Sequence, residues 1–276
     1  MGKHNEPTKA YKDIEFLNSP DARTIRLLAE YLEPLRRLRR NKVQDTIVFF
    51  GSARLKSRED ALHDKQDVLD AIHRSTRPQT PKSLLDQLQK AEQMVETSRY
   101  YEDAVELARL LSEWSLTLNK HRFVICSGGG PGIMEAANRG AHAAGAKSIG
   151  LNISLPFEQF SNPYIPPELN FEFHYFFMRK FWFVYPAKAL VVFPGGFGTM
   201  DELMEVLTLV QTEKLRKKVF IVLYGGDFWN KIIDFEELAR QHVISRSDLQ
   251  LFKTCNTPRE AFNYLKKKLT DRYLEK

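Results

Sequence analysis

The sequence predicts an α/β fold: a doubly wound, mainly parallel sheet with additional helices toward the N-terminus. Three observations carry this expectation. Short, nearly all-apolar runs alternate with longer amphipathic stretches from residue 122 onward, as expected for strands buried on both faces and joined by helical crossovers. Three of the apolar runs end in small-residue loops, at Gly51-Ser52, Gly128-Gly129-Gly130 and Gly195-Gly196-Phe197-Gly198. Residues 55–120 contain no comparable apolar run and are rich in Leu, Ala, Gln and charge, which suits helices.

Residues 1–20 are polar, hold Pro7 and Pro20, and read as a mobile arm. The remainder, 21–276, reads as a single domain whose N-terminal part, 21–120, is helical. Pro20-Asp21 opens an amphipathic helix with Leu27, Leu28, Tyr31, Leu35 and Leu38 on one stripe, and Pro34 kinks or splits it. A strand over 46–50 follows, then a long helical segment interrupted near 75–81. Thereafter the pattern gives strand 122–126, helix 132–144, strand 147–152, strand 171–176, helix 177–186, strand 188–193 and helix 199–213. Strand 218–223, helix 227–240, an edge strand at 249–254 and a closing helix over 257–274 complete the chain. Ligands of such sheets bind at the C-terminal ends of the strands, where all three small-residue loops emerge.

Composition narrows the function. The formal charge is +6, from 41 basic and 35 acidic residues. Its basic clusters (36–40, 214–218 and 266–268) read as solvated helix faces and ends rather than a nucleic-acid surface. Cys126 ends an apolar run and reads as a buried small hydrophobe; it and Cys255 form no disulfide framework or CxxC pair. The histidines show no HxxxH or HxH spacing, so no structural metal is expected. Residues 1–20 lack the apolar core of a signal peptide, and the hydrophobic region 171–193 is interrupted by Arg179, Lys180, Pro186 and Lys188. A cytoplasmic protein without membrane contact is the expectation.

The stretch Val191–Glu202 joins a buried strand, a glycine turn and a helix start that carries a carboxylate. Backbone N–H groups and the positive end of the helix dipole there suit an anion such as phosphate. The loop lacks the spacing of the dinucleotide fingerprint and of the P-loop, as does the loop at Gly128–Gly130. The alternative for each loop is a tight turn that needs glycine for positive φ. Glu202 has two readings that its spacing leaves open. Thr199-Met200-Asp201-Glu202 fits a capping box, and the same carboxylate could serve chemistry. Adjacent Asp201 points about 100° away around a helix and so does not pair with it as a second reacting carboxylate. Arg179-Lys180 lies among Phe176, Phe177, Met178, Phe181 and Trp182, where a cation either reaches solvent or meets an anion.

Met178-Arg179-Lys180 followed by Pro194-Gly195-Gly196-Phe197-Gly198-Thr199-Met200-Asp201-Glu202 resembles the paired signature of the LONELY GUY (LOG) family of cytokinin-activating phosphoribohydrolases. Ser127–Met134 and Phe50-Gly51-Ser52 resemble that family's second glycine loop and its first-strand turn, and the similarity runs over roughly residues 45–255. The helical N-terminal part and the insertion at 55–98 resemble its longer bacterial branch. The resemblance implies a Rossmann-like fold and hydrolysis of a nucleoside 5′-monophosphate to free base and ribose 5-phosphate, without a cofactor, in at least a homodimer. It implies that Gly195, Gly196, Gly198 and Thr199 hold the 5′-phosphate, with Phe197, Met200 and Asp201 in the same binding segment. Glu202 would act on the ribose side of the bond with help from Arg179. Lys180 and Met178 would line the pocket, Gly51, Ser52, Gly129 and Gly130 would lie along the nucleotide, and Glu158 would add a substrate contact. Two rivals stand beside this reading. One is a non-catalytic nucleotide or cofactor carrier of the same fold. The other is pyridoxal-dependent lysine decarboxylation, for which no Schiff-base motif is visible.

Overall fold

The computed structural model describes residues 7–75, 81–118, 122–154 and 160–275. Its centre is a parallel sheet of seven strands: β1 (Thr46–Phe50), β2 (Val124–Ser127), β3 (Ile149–Ile153), β4 (Asn170–Phe173), β5 (Ala187–Val192), β6 (Phe220–Tyr224) and β7 (Phe252–Cys255). The order is β4-β3-β2-β1-β5-β6-β7. The chain winds outward from β1 to β4, returns to the other side of β1 as β5, and winds outward again to β7. The two directions of winding diverge between β1 and β5, which pair from Thr46 opposite Ala187 to Phe50 opposite Val192. A crevice opens where the loops after two such strands separate.

The helices are α1 (Ile14–Asn18), α2 (Arg23–Arg40), α3 (Arg58–His73), α4 (Lys82–Thr97), α5 (Arg99–Leu116), α6 (Ile133–Ala143), α7 (Phe176–Val184), α8 (Phe197–Gln211), α9 (Gly226–Ile232), α10 (Phe235–Arg240) and α11 (Pro258–Tyr273). Both faces of the sheet are covered. Ile47 and Phe49 of β1 pack with Leu107 and Leu111 of α5, Ala137 of α6 and Leu265 of α11. Val48 and Phe50, pointing the opposite way, pack with Leu38 of α2, Trp182 and Phe183 of α7, Leu203 of α8 and Trp229 of α9. Every residue of β1 is buried, which is why its sequence does not alternate. No described helix is long and apolar enough to cross a membrane.

The structure corrects several expectations. Part of the segment read as a mobile arm is helical: Asp13 caps α1 through Phe16 N at 3.0 Å, and Arg26 Nη1 donates to the carbonyls of Leu17 and Ser19, each at 2.6 Å. Residues 1–6 lie outside the described part. Helix α2 is not split, because Pro34 is accommodated within it, but its stripe is only half used. Leu38 is buried, whereas Leu28 is 54% exposed, since the N-terminal half of α2 extends toward α7 rather than over the sheet. The expected helix over 227–240 is two helices, separated where Ile233 is extended and Asp234 caps α10 through Glu237 N at 2.8 Å.

Candidate functional site

A cavity of about 650 Å³ opens at the divergence of β1 and β5. Four segments wall it: Phe50–Arg54 after β1, Gly128 and Met134 around the start of α6, Phe176 and Arg179 of α7, and Gly196–Glu202 at the start of α8. Asn152 and Ile153 of β3 close another side. Hydrogen bonds lock the loops together. Ser52 N donates to Pro194 O at 3.0 Å, Phe193 N to Phe50 O at 2.8 Å, and Ile133 N to Ser52 O at 3.1 Å.

Helix α8 begins at Phe197 with Gly196 as its N-cap, two residues earlier than expected. Thr199 is therefore inside the helix, and no side chain caps the helix start. This rules out the capping-box reading of Glu202, which sits in the second turn and not the first. Among the described residues no hydrogen bond or ion pair is made by its side chain. Burial pushes the Glu202 carboxyl up to about 7, against the pull of Arg179 and Lys180 and with a further rise from Asp201 and Glu205.

Arg179 approaches from the opposite wall. Its Nε donates to Leu151 O at 2.8 Å, and its guanidinium stacks 5.1 Å from the centre of the Phe183 ring. A Cβ at Gly128 would stand 2.6 Å from Nη2, so that glycine admits the guanidinium. Burial lowers the pKa of Arg179, while Glu202, Cys126 and Glu172 pull it back up. An acid held near neutrality thus shares a cavity with a desolvated cation, which is the kind of perturbation that marks functional sites. Cys126 lies beneath them, and burial raises its thiol out of the reactive range.

The two glycine loops differ. Gly129 and Gly132 have φ of +77° and +70°, and a Cβ at Gly132 would strike Ser52 O. Those glycines answer the local backbone. Gly196 and Gly198 have no positive φ, and a Cβ on either would meet nothing within 4 Å. The protein's own packing does not require them to be glycine. What they leave is bare backbone at a helix N-terminus, facing the cavity. Gly195 is different again, since a Cβ there would strike the Thr199 side chain.

Of the residues singled out from sequence, Gly51, Ser52, Arg179, Gly196, Phe197, Gly198, Thr199, Met200, Asp201 and Glu202 line the cavity. Contrary to expectation, Met178 and Lys180 are not among its walls. Met178 packs against the core formed by α2, α7, α8 and α9, and Lys180 is engaged by Asp201 at 2.7 Å and Glu205 at 3.1 Å. Burial works against the charge of Lys180, yet those two partners raise its pKa overall. Gly129 and Gly130 sit behind the wall, where their carbonyls accept from Asn162 Nδ2 at 3.0 and 3.1 Å. Glu158 lies outside the described residues.

Sequence reasoning missed what holds the second glycine loop. Ser127 Oγ donates to Asn138 Oδ1 at 2.7 Å and accepts from Gly129 N at 3.0 Å. Asn138 Nδ2 donates to Ser148 Oγ at 2.9 Å, and Asn162 Nδ2 reaches Asn138 Oδ1 at 3.0 Å. All four side chains are buried. The available signal was Asn138 in the middle of an alanine-rich helix, a costly place for an amide without partners. Among the described residues no group of three or more His, Cys, Asp or Glu side chains is placed to hold a metal ion.

A family model described as "Possible lysine decarboxylase" matches residues 134–265. The chain is 28% identical over 142 residues to the cytokinin riboside 5′-monophosphate phosphoribohydrolase LOG7 of Arabidopsis thaliana, covering 51% of this chain and 61% of that one. It is 29% identical over 142 residues to the enzyme LOG of Oryza sativa subsp. japonica, covering 51% and 54%. The match thus spans little more than half the length of those relatives. Among solved structures, a structural-genomics target aligns with a TM-score of 0.46 at 18% identity, over 81% of this chain and 99% of that one. The molybdenum cofactor carrier protein of Chlamydomonas reinhardtii aligns with a TM-score of 0.41 at 20% identity, over 62% and 90%.

Proposed function

We propose that this chain, similar to LOG enzymes over about half of its length, hydrolyses the N-glycosidic bond of a nucleoside 5′-monophosphate. AMP or an N6-modified AMP is the substrate, and free base and ribose 5-phosphate are the products. The observation that carries the reading is that Glu202 and Arg179 line one cavity, beside a helix start whose glycine backbone is open. The 5′-phosphate binds the N–H groups at the start of α8, with Gly196, Gly198 and Thr199 around it. Binding energy gained there positions the ribose against Glu202.

Breaking the bond between C1′ and the base nitrogen leaves positive charge on the ribose. Ionised Glu202 stabilises that charge and takes a proton from water as the water oxygen bonds to C1′. The base departs with the bonding electron pair and takes up a proton from solvent, while Glu202 returns its proton to solvent, so that one water is consumed. Arg179 keeps Glu202 ionised more often than burial alone would allow. Decarboxylation through a Schiff base has less support, because no lysine is among the described residues that line the cavity. The protein works in the cytoplasm as at least a homodimer.

The test is chromatography of free base and ribose 5-phosphate after incubation with AMP, isopentenyl-AMP or adenosine. Wild type is expected to release base from the nucleotides and not from adenosine. Glu202→Gln is expected to lose a factor on the order of 10²–10⁴ in rate while remaining folded. Wild type that binds AMP but releases nothing would instead be a nucleotide-binding protein.

A further inference from the structure

The loop that begins at Gly51-Ser52 was singled out from sequence, and Arg54, two residues further on, had no role in it. In the structure Arg54 lines the cavity and is exposed. Among the described residues no hydrogen bond or ion pair engages its guanidinium; only its backbone is held, with Arg54 N donating to Ser52 Oγ at 3.1 Å. The loop that carries it is fixed to the α8 side of the cavity, because Ser52 N bonds Pro194 O, two residues before the helix N-cap Gly196. A long cationic side chain is thus anchored beside the open first turn of α8.

The charges around the cavity explain why this matters. Lys180 is neutralised by Asp201 and Glu205. Arg179 faces Glu202 and spends its Nε on Leu151 O. Together with the partial positive charge of one helix end, these groups leave little to balance an incoming phosphate dianion. Arg54 adds a second cavity guanidinium, one that no hydrogen bond or ion pair engages among the described residues and that no carboxylate of the cavity faces at ion-pair distance, and guanidinium geometry matches phosphate oxygens in pairs.

We propose that Arg54 is a substrate-binding residue that grips the 5′-phosphate from the loop after β1, beside the α8 backbone. It thereby makes the site selective for phosphorylated over unphosphorylated ribosides. This rests on the reading of the cavity as a site for a nucleoside 5′-monophosphate.

The experiment is calorimetric titration of the 276-residue chain with ribose 5-phosphate and with AMP at low salt. Wild type, Arg54→Ala and Arg58→Ala are compared; Arg58 is an exposed cation nearby that is not among the cavity walls. Ribose 5-phosphate carries no bond to be cleaved, so its affinity does not depend on turnover. Arg54→Ala is expected to weaken both ligands at least tenfold with an unchanged thermal midpoint, and Arg58→Ala less than twofold. Equal affinities of wild type and Arg54→Ala would overturn the proposal. So would equal losses in the two variants, which would mean a diffuse field, or a wild type that binds neither ligand. A wild type that binds both, loses them on Arg54→Ala and releases no base would leave the Arg54 assignment standing and remove the hydrolase reading.

Discussion

Glu202 concentrates the conflict between stability and chemistry in one side chain. Its folded pKa of about 7 lies well above the ordinary carboxylate value, so between those pH values the folded state holds a proton that the unfolded chain releases. Folding is therefore penalised as pH rises from about 4.5 to about 7, and the penalty is constant above that. Glu202→Gln removes it. The variant is predicted to be more stable than wild type by about 2–3 kcal/mol at pH 8. The gap should shrink toward zero below pH 4. Urea unfolding of both proteins at pH 4 and pH 8 reads this directly, and a gap that fails to widen would mean that burial does not perturb the carboxyl. Activity runs the other way. The proposed mechanism needs the ionised form, so kcat/KM for AMP is expected to fall as pH drops through about 7.

At the scale of elements, the glycines sort by what demands them. Gly132 holds positive φ where the start of α6 meets the β1 loop, so Gly132→Ala should destabilise by about 1–3 kcal/mol. Gly198 is inside α8 with open space around it. Gly198→Ala should stabilise by about 0.5–1 kcal/mol through helix propensity and yet weaken AMP binding, because a methyl group then stands in the proposed phosphate position. Thermal unfolding beside AMP titration separates the two effects. Asn138→Ala should cost about 1–3 kcal/mol, since it strands buried partners on Ser127, Ser148 and Asn162. The central strands β1, β2, β5 and β6 were legible because each is a nearly all-apolar run, and the glycine loops because they follow such runs. Thr199–Glu202 was misleading: a good capping-box pattern loses to a helix that starts earlier on Gly196. Asn162 was not legible at all, because it comes from a loop and meets Gly129 and Gly130 only through the sheet order. Cavity-lining Asn152 was hidden for the same reason: its Nδ2 is held by Asn170 Oδ1 and Phe171 O of the neighbouring strand.

At the scale of the whole molecule, the covering of the sheet is uneven. Tyr31 of α2 meets Phe181 at a ring distance of 5.6 Å, Phe181 meets Tyr185 at 5.1 Å, and all three remain partly exposed. This aromatic surface is the place to look for the self-association in the proposed function. Light scattering is expected to give at least a dimer mass for wild type and a smaller mass for Phe181→Glu; an unchanged mass would locate the contact elsewhere. Helices α3 and α4 show a different economy, since they pack chiefly on each other. Arg58 N at the start of α3 bonds Glu102 Oε1 near the start of α5 at 2.9 Å. The chain therefore leaves for this hairpin and returns at almost the same point. Such an insertion is topologically detachable: replacing it with a short linker closes only a small gap, at modest entropic cost. The hairpin is then an appendage whose length can change without disturbing the sheet or the cavity at the divergence of β1 and β5.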